Sequence, residues 1–109
     1  MASWVLPEEL RQLAASDEAL VKEVLAVFRS DTAERIARLR ASLDRGDTAG
    51  VKNEAHALKG SAGQVGAGGV SAICRQIELH IAGPETAVVR DLVAQLEAAF
   101  TAVCRDMNA

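Results

Sequence analysis

Apolar residues that recur every three or four positions are the feature that most constrains how this chain folds. From residue 17 to residue 45 they are Leu20, Val24, Phe28, Ile36, Leu39 and Leu43, with Thr32 in the one longer gap. Such spacing places side chains on one face of an α-helix, whereas the side chains of a strand alternate between two faces. This segment is therefore predicted to be a long amphipathic helix.

Three later segments show the same spacing, and we expect each to turn one apolar stripe inward. The stripe of the first segment is Val51, Ala55, Leu58, Ala62 and Val65. The stripe of the second is Val70, Ile73, Cys74, Ile77 and Ile81. The stripe of the third is Val88, Val89, Leu92, Leu96, Phe100 and Val103.

Capping and turn residues divide the chain into five helices. Pro7, followed by two glutamates, suits a first helical turn, and Asp17 can cap the next helix. Gly46 can end that helix in a left-handed conformation, with Asp47 as the following cap. Glycines within 66–69 and the pair Gly83-Pro84 mark the remaining turns. The expected helices span approximately 7–15, 17–45, 48–65, 69–82 and 85–106.

Composition and loop length then select the fold. The 109 residues include 21 alanines and only three aromatic residues, which favours helices over strands. Short loops make successive helices antiparallel neighbours. We therefore predict a single all-α domain over residues 1–109. It is an antiparallel, up-down-up-down four-helix bundle with a short extra N-terminal helix.

Charge and hydropathy exclude several classes of function. A net charge of −3 argues against a nucleic-acid partner, and no run of about 18 apolar residues is present to cross a membrane. The N-terminus lacks the pattern of a secretory signal. Cys74 and Cys104 lie in helical patterns and are interpreted as buried, reduced thiols, with a disulfide or a reactive thiol as the alternative. With neither signal present, we expect a cytoplasmic protein, and we expect it to be a monomer. The starting Met and the compact length favour a free-standing protein over a fragment of a larger hybrid kinase.

One histidine lies on the wrong face of its helix for a core residue. On a helical wheel His56 points about 140° away from the apolar stripe of 48–65. Lys52, Lys59, Gly60 and Gly63 lie within about 60° of it. Glycine inside a helix costs about 1 kcal/mol relative to alanine, so two of them beside a histidine suggest clearance for a partner. The alternative is a solvated surface histidine near a fraying helix end.

The antiparallel turn near Gly66 places residues 76–78 opposite His56. Glu78 can then accept a hydrogen bond from one ring nitrogen of His56 and leave the other free as a nucleophile. The alternative is a plain solvated glutamate.

Nucleotide and metal sites fit the sequence poorly. No strand precedes the glycines, and neither phosphate-binding glycine pattern is complete. His56 and His80 are on different helices, so they lack the spacing of a metal pair, and His80 is expected at a helix end near Gly83. We predict no metal site in this chain.

The segment HALKGSAGQVGA (56–67) resembles the signature of histidine-containing phosphotransfer domains, H-x-L-K-G-S-[SA] followed by G-[AL]. The segment ICRQIE (73–78) is similar to the apolar-Cys-x-x-apolar-Glu sequence on the family's next helix. Ala62 replaces the second serine of the commonest version. It lies on the core stripe, so little functional loss is expected. The glycine-rich run 66–69 is looser than in many members and is expected to shorten the start of the fourth helix.

The resemblance implies a role for each matching residue. His56 is the phosphoacceptor through its Nε2, and Lys59 stabilises the phosphoryl charge. Gly60 gives the partner access, with Gly63 beside it, and Glu78 orients the histidine. Lys52 is outside the motif, and its place beside His56 on the helical wheel is what predicts electrostatic support from it. The chain itself binds no cofactor, because the receiver domain that serves as partner supplies the Mg²⁺.

The sequence therefore predicts a phosphoryl carrier of a two-component phosphorelay, not an enzyme. His56 accepts the group from a receiver-domain aspartate of a response regulator or hybrid sensor histidine kinase and passes it to another response regulator. Two alternatives remain. One is a helical-bundle interaction module that is not phosphorylated. The other is a phosphoacceptor domain that serves a chemotaxis-type histidine kinase.

Overall fold

The computed structural model describes residues 4–108, and in that part of the chain all regular structure is helical. The helices are α1 (Glu8–Ser16), α2 (Glu18–Asp44), α3 (Thr48–Gln64), α4 (Gly68–His80) and α5 (Thr86–Asn108). The predicted all-α class is confirmed, and the expected helix ends differ from the observed ones by at most two residues. The expected shortening of α4 at its start is not observed, because Gly68 and Gly69 form its first turn.

Four of the helices enclose one core. α2 packs against α3 and α5, and α4 packs against the same two helices, which closes the four-helix bundle. The short α1 packs against α2. Because α2 and α5 have 27 and 23 residues and α3 and α4 only 17 and 13, the longer pair extends beyond the shorter pair at one end. The bundle with its extra N-terminal helix is the predicted one.

The turns follow the capping residues. Asp17 Oδ1 accepts a hydrogen bond from the Leu20 backbone N–H at 3.0 Å, and Asp47 Oδ1 accepts one from the Gly50 N–H at 2.9 Å. These bonds satisfy amide groups that have no partner within the first turn of α2 and of α3. Gly46 follows α2 with φ +73°, the left-handed conformation that glycine adopts without strain.

The turn between α3 and α4 is held by the chain's N-terminal segment. The Trp4 indole Nε1–H donates to the Val65 carbonyl oxygen at 2.7 Å, directly after α3 ends. Gly66 has φ +84°, and a Cβ there would lie only 2.5 Å from the Val5 backbone oxygen. The hydrogen bond from Trp4 and the close approach of the Val5 backbone to Gly66 hold the C-terminal end of α3 in place.

The inward stripe of α2 differs from the expected one near its N-terminus. Val21 and Leu25 are buried, whereas Leu20 is exposed and Val24 is half-buried. The reason is helical geometry: eight residues back from Phe28 is about 80° away from it on the wheel, and seven residues back is only about 20° away. The prediction that Leu20 faces the core is therefore wrong.

The stripe of α5 needs one similar correction. Val89, Val93, Leu96 and Val103 are buried, whereas Val88 is exposed. Two consecutive residues of a helix point about 100° apart, so Val88 and Val89 cannot both face a narrow core. The sequence analysis placed Val88 inward and missed Val93.

Candidate functional site

α3 presents two faces of opposite character. Its predicted inward stripe is confirmed, since all of those side chains are buried. The His56 side chain lies on the other face and is 72% exposed. A histidine this exposed contributes little to core packing, so its surroundings on the surface decide what it can do.

Glu78 of α4 brings His56 and Lys59 of α3 together. Its Oε2 lies 3.2 Å from His56 Nδ1, and its Oε1 lies 2.9 Å from Lys59 Nζ. The Glu78 side chain is only 16% exposed, and that of Lys59 is 35% exposed. One carboxylate therefore joins two side chains that are three residues apart on the neighbouring helix. The contact between Glu78 and His56 is the one that the antiparallel register predicts.

The environment of Glu78 fixes its charge. Burial by itself raises the pKa of this carboxyl group, but the hydrogen bonds and charges of Lys59 and His56 outweigh burial, so the pKa lies below its ordinary value. Glu78 is consequently ionised near neutral pH and can only accept hydrogen bonds. The proton in the contact with His56 must then be on Nδ1. In the neutral ring this leaves Nε2 with a free lone pair.

The two predicted clearance glycines have different surroundings. A Cβ at Gly60 would meet no atom within 4 Å, so the space beside it is open. A Cβ at Gly63 would lie 3.8 Å from Ser71 Oγ, at the contact between α3 and α4. Lys52 is exposed one turn before His56. The roles proposed for these three residues stay predictions.

The sequence analysis did not single out two residues of α4 that lie on the same helical stripe as Glu78. The Ser71 hydroxyl donates to the Lys59 carbonyl oxygen at 2.9 Å and so fixes α4 against α3. Arg75 lies between Ser71 and Glu78 in sequence and is exposed. The antiparallel register that pairs residue 56 with residue 78 also pairs residue 59 with residue 75. Extending that register by one helical turn therefore places Arg75 opposite Lys59.

The two cysteines and the second histidine are further side chains that the sequence analysis considered. Cys74 and Cys104 are free, and Cys104 is only partly buried, contrary to expectation. Burial, with a contribution from Glu78, raises the pKa of the Cys74 thiol to about 12, so it is a poor nucleophile. His80 ends α4, as expected, and its Nδ1 lies 3.0 Å from Glu85 Oε2.

Within residues 4–108, no group of three or more His, Cys, Asp and Glu side chains is arranged to hold a metal ion. In the same residues, no helix is both long and apolar enough to cross a membrane.

Comparison with known proteins identifies the family. The sequence model of the Hpt domain matches residues 23–106, which include α3, α4 and most of α2 and α5. The chain belongs to the Hpt domain family. Hpt domains are phosphocarriers of phosphorelays, and receiver domains are the kind of partner with which they interact.

A solved structure agrees with this assignment. The Hpt domain described here is similar to the crystal structure of histidine-containing phosphotransfer protein B (HptB) from Pseudomonas aeruginosa PAO1, with 27% sequence identity and a TM-score of 0.84. The similarity covers 94% of this chain and 90% of that chain. No curated protein sequence matches this Hpt domain significantly.

Proposed function

We propose that His56 accepts a phosphoryl group on Nε2 from the aspartyl phosphate of a receiver domain and passes it to the aspartate of another response regulator. The observation that carries this proposal is the 3.2 Å contact between Glu78 Oε2 and His56 Nδ1. It directs the proton of the neutral imidazole to Nδ1 and leaves the lone pair on Nε2. The high exposure of the ring makes that lone pair accessible to a second protein.

The transfer step follows from this tautomer. The Nε2 lone pair forms a bond to phosphorus while the bond between phosphorus and the aspartyl oxygen breaks, and the aspartate leaves as a carboxylate. The ring becomes positively charged, and the Nδ1–H remains directed at the Glu78 carboxylate, which stabilises that charge. Transfer to the next aspartate is the same step in reverse. The phosphoryl group is carried and not consumed, so the chain is a carrier.

Two neighbours of His56 support the step. Lys59 Nζ is one turn along the same face and can stabilise the charge on the phosphoryl oxygens. The open space at Gly60 lets the partner's backbone approach the ring. Phosphoryl transfer depends on position and on cations more than on covalent machinery. The Mg²⁺ that it requires is assigned to the receiver domain, and the protein is proposed to act as a cytoplasmic monomer.

The decisive experiment is incubation of the protein with a phosphorylated receiver domain and Mg²⁺, followed by intact mass measurement and ³¹P NMR. We expect one phosphate that is labile in acid and stable in base, as for a phosphohistidine. His56→Gln is the control and should remain unmodified. If several receivers transfer nothing to a folded wild-type protein, the carrier proposal is wrong and the interaction module is favoured. Phosphorylation by a chemotaxis-type kinase alone would favour the remaining alternative.

A further inference from the structure

The three side chains at the centre of the site provide no net positive charge. With the His56 ring neutral, the +1 charge of Lys59 is balanced by the −1 charge of Glu78, which lies 2.9 Å from it. A phosphoryl group brings a charge of about −2, and the receiver pocket that delivers it is lined with carboxylates. The chain as a whole carries −3. Cations of this chain from outside the trio would therefore strengthen the attraction between the two proteins at this site.

Few cations of this chain are free to act in that way. Eight of the twelve lysines and arginines lie within 4.0 Å of a carboxylate oxygen in residues 4–108. In the same residues, four have side chains without an ion pair or hydrogen bond: Arg29, Lys52, Arg75 and Arg105. Lys52 is one turn before His56 on α3. The position of Arg75 follows from the register of α4.

Arg75 lies on the side of α4 that faces the site. Ser71, Arg75 and Glu78 have the i, i+4, i+7 spacing of one helical stripe. Both ends of that stripe contact α3: Ser71 Oγ is 2.9 Å from the Lys59 carbonyl oxygen, and Glu78 Oε2 is 3.2 Å from His56 Nδ1. Residue 75 is therefore opposite Lys59, and its position is about 4.5 Å along the helix axis from that of Glu78. Its side chain is nevertheless exposed.

We propose that Arg75 is a recognition residue for the receiver domain, and that with Lys52 it supplies the net positive charge which the central trio lacks. The inference rests on the proposed function and extends it to a residue of α4. The occupant of this surface is the acidic, Mg²⁺-loaded phosphorylation pocket of the receiver. The guanidinium group suits it through its positive charge, which attracts carboxylate and phosphate oxygens.

The exposure of Arg75 determines which quantity it affects. No contact within residues 4–108 has to break before it meets a partner, and a charge at the rim of an interface acts mainly on the rate of association. Its effect should also weaken as salt screens the attraction. The expected signature is a salt-dependent change in the second-order rate constant of transfer, with little change in fold stability.

The test compares Arg75→Gln with Arg105→Gln. Both substitutions remove one unpaired, exposed cation, but Arg105 is on α5, which does not pack against α3 within the described residues. The second-order rate constant for transfer from a phosphorylated receiver domain is measured by rapid quench at low and high ionic strength. At low salt we expect Arg75→Gln to lower it about five- to tenfold and Arg105→Gln by less than about twofold. Arg75→Lys should retain most of the wild-type rate, and high salt should bring the two glutamine variants together.

Equal rates for the two glutamine variants at low salt would overturn the inference. A loss in Arg75→Gln that persists unchanged at high salt would overturn it too, because the role would then not be electrostatic attraction. These results are distinct from failure of the proposed function, in which the wild-type protein itself accepts no phosphoryl group. Circular dichroism of each variant verifies that the fold is intact.

Discussion

α3 is joined to a neighbouring helix through a glutamate on each of its two sides. Towards α2, one carboxylate oxygen of Glu54 accepts a hydrogen bond from Arg35 Nη1 at 3.0 Å. The other oxygen accepts one from Arg38 Nε at 3.1 Å. Towards α4, Glu78 Oε1 pairs with Lys59 Nζ, and Glu78 Oε2 lies beside His56 Nδ1. The two carboxylates are almost equally buried, with 17% and 16% of their side chains exposed. On each side, α3 is therefore joined to its neighbour by a half-buried carboxylate with two partners across the helix contact.

The Glu54 site and the Glu78 site differ in the residues that pair with the carboxylate. Arginine is permanently protonated, donates hydrogen bonds only and cannot act as a nucleophile. Arg35 is further held by Asp31 at 3.1 Å, so the contact between α2 and α3 is a closed network of ion pairs. Histidine has a second ring nitrogen that its carboxylate partner does not use, and at His56 the ring is exposed. A half-buried carboxylate therefore only joins two helices when its partners are arginines. It becomes part of a reactive site when one partner is an exposed histidine.

The largest expected effect is that of His56→Gln, which removes the nucleophile from the α4 side. Acceptance of a phosphoryl group should be abolished, because the substitution removes the ring nitrogen that attacks phosphorus. The ring is exposed and contributes little to the core, so the Tm should stay within about 5 °C of the wild type. Intact mass after incubation with a phosphorylated receiver measures the first quantity, and thermal unfolding measures the second. A large fall in Tm would show that His56 has a structural role, as Arg35 and Arg38 have on the α2 side.

Gly60→Leu is expected to have the next largest effect. A leucine side chain would fill the open space beside the ring and hold the partner away, and a displacement of about 1 Å can slow a transfer by about 100-fold. Leucine is also a better helix former than glycine, so stability should rise by up to about 1 kcal/mol. Gly60→Ala is the matched control: it gains similar helix propensity with much less bulk and should retain most of the transfer rate. Normal transfer in Gly60→Leu would remove the clearance argument.

The sequence predicts the α4 side of this comparison much better than the α2 side. α3 has a regular apolar stripe and a short turn before α4, so both the exposure of His56 and the register that brings Glu78 to it follow from helical geometry. The stripe assigned to α2 begins with two consecutive four-residue steps, from Leu20 through Val24 to Phe28, and each such step moves about 40° around the helix. That drift explains why Leu20 was placed in the core and Val21 was not.

Contacts that depend on the distance between helices were not predictable. The sequence shows that Glu54, Arg35 and Arg38 are charged, but not which cation meets which oxygen, because that depends on how α2 and α3 cross. The hydrogen bond from the Trp4 indole to the Val65 carbonyl oxygen joins residues 61 positions apart, and no local pattern marks it. Local periodicity therefore predicts which face a residue occupies, and packing decides what it touches.

A third prediction tests the comparison directly by removing each carboxylate. Glu54→Ala should lower the free energy of unfolding by about 1 to 2 kcal/mol, because two arginines lose their acceptor, and should leave transfer within about twofold of the wild type. Glu78→Ala should slow transfer about tenfold, equivalent to about 1.4 kcal/mol of transition-state stabilisation, because the His56 tautomer is no longer fixed. Urea unfolding and quenched transfer assays measure both quantities in both variants. Equal effects of the two variants on transfer would mean that the two sides do not differ in function.

The smallest expected effect is the pH dependence that Glu78, on the α4 side, gives to the free energy of unfolding. The folded-state pKa of Glu78 is below its ordinary value, which the unfolded chain retains at about 4.3. The unfolded state therefore binds this proton more readily than the folded state. The contribution of Glu78 to stability is fully present above the unfolded pKa and is lost as the pH falls through the folded pKa. Near neutral pH this contribution to stability does not change with pH.

Glu78→Gln provides the measurement, because it keeps the shape of the side chain but cannot ionise. The difference in free energy of unfolding between the wild type and this variant should be constant from about pH 7 to pH 5 and should then shift against the wild type as the pH falls. Once Glu78 is protonated, Lys59 loses the anion that it pairs with, and the fixed proton on His56 Nδ1 loses its acceptor. A difference that stays constant down to pH 3 would mean that Glu78 is not held in its ionised form by Lys59 and His56. The tautomer argument for a free Nε2 would then lose its physical basis.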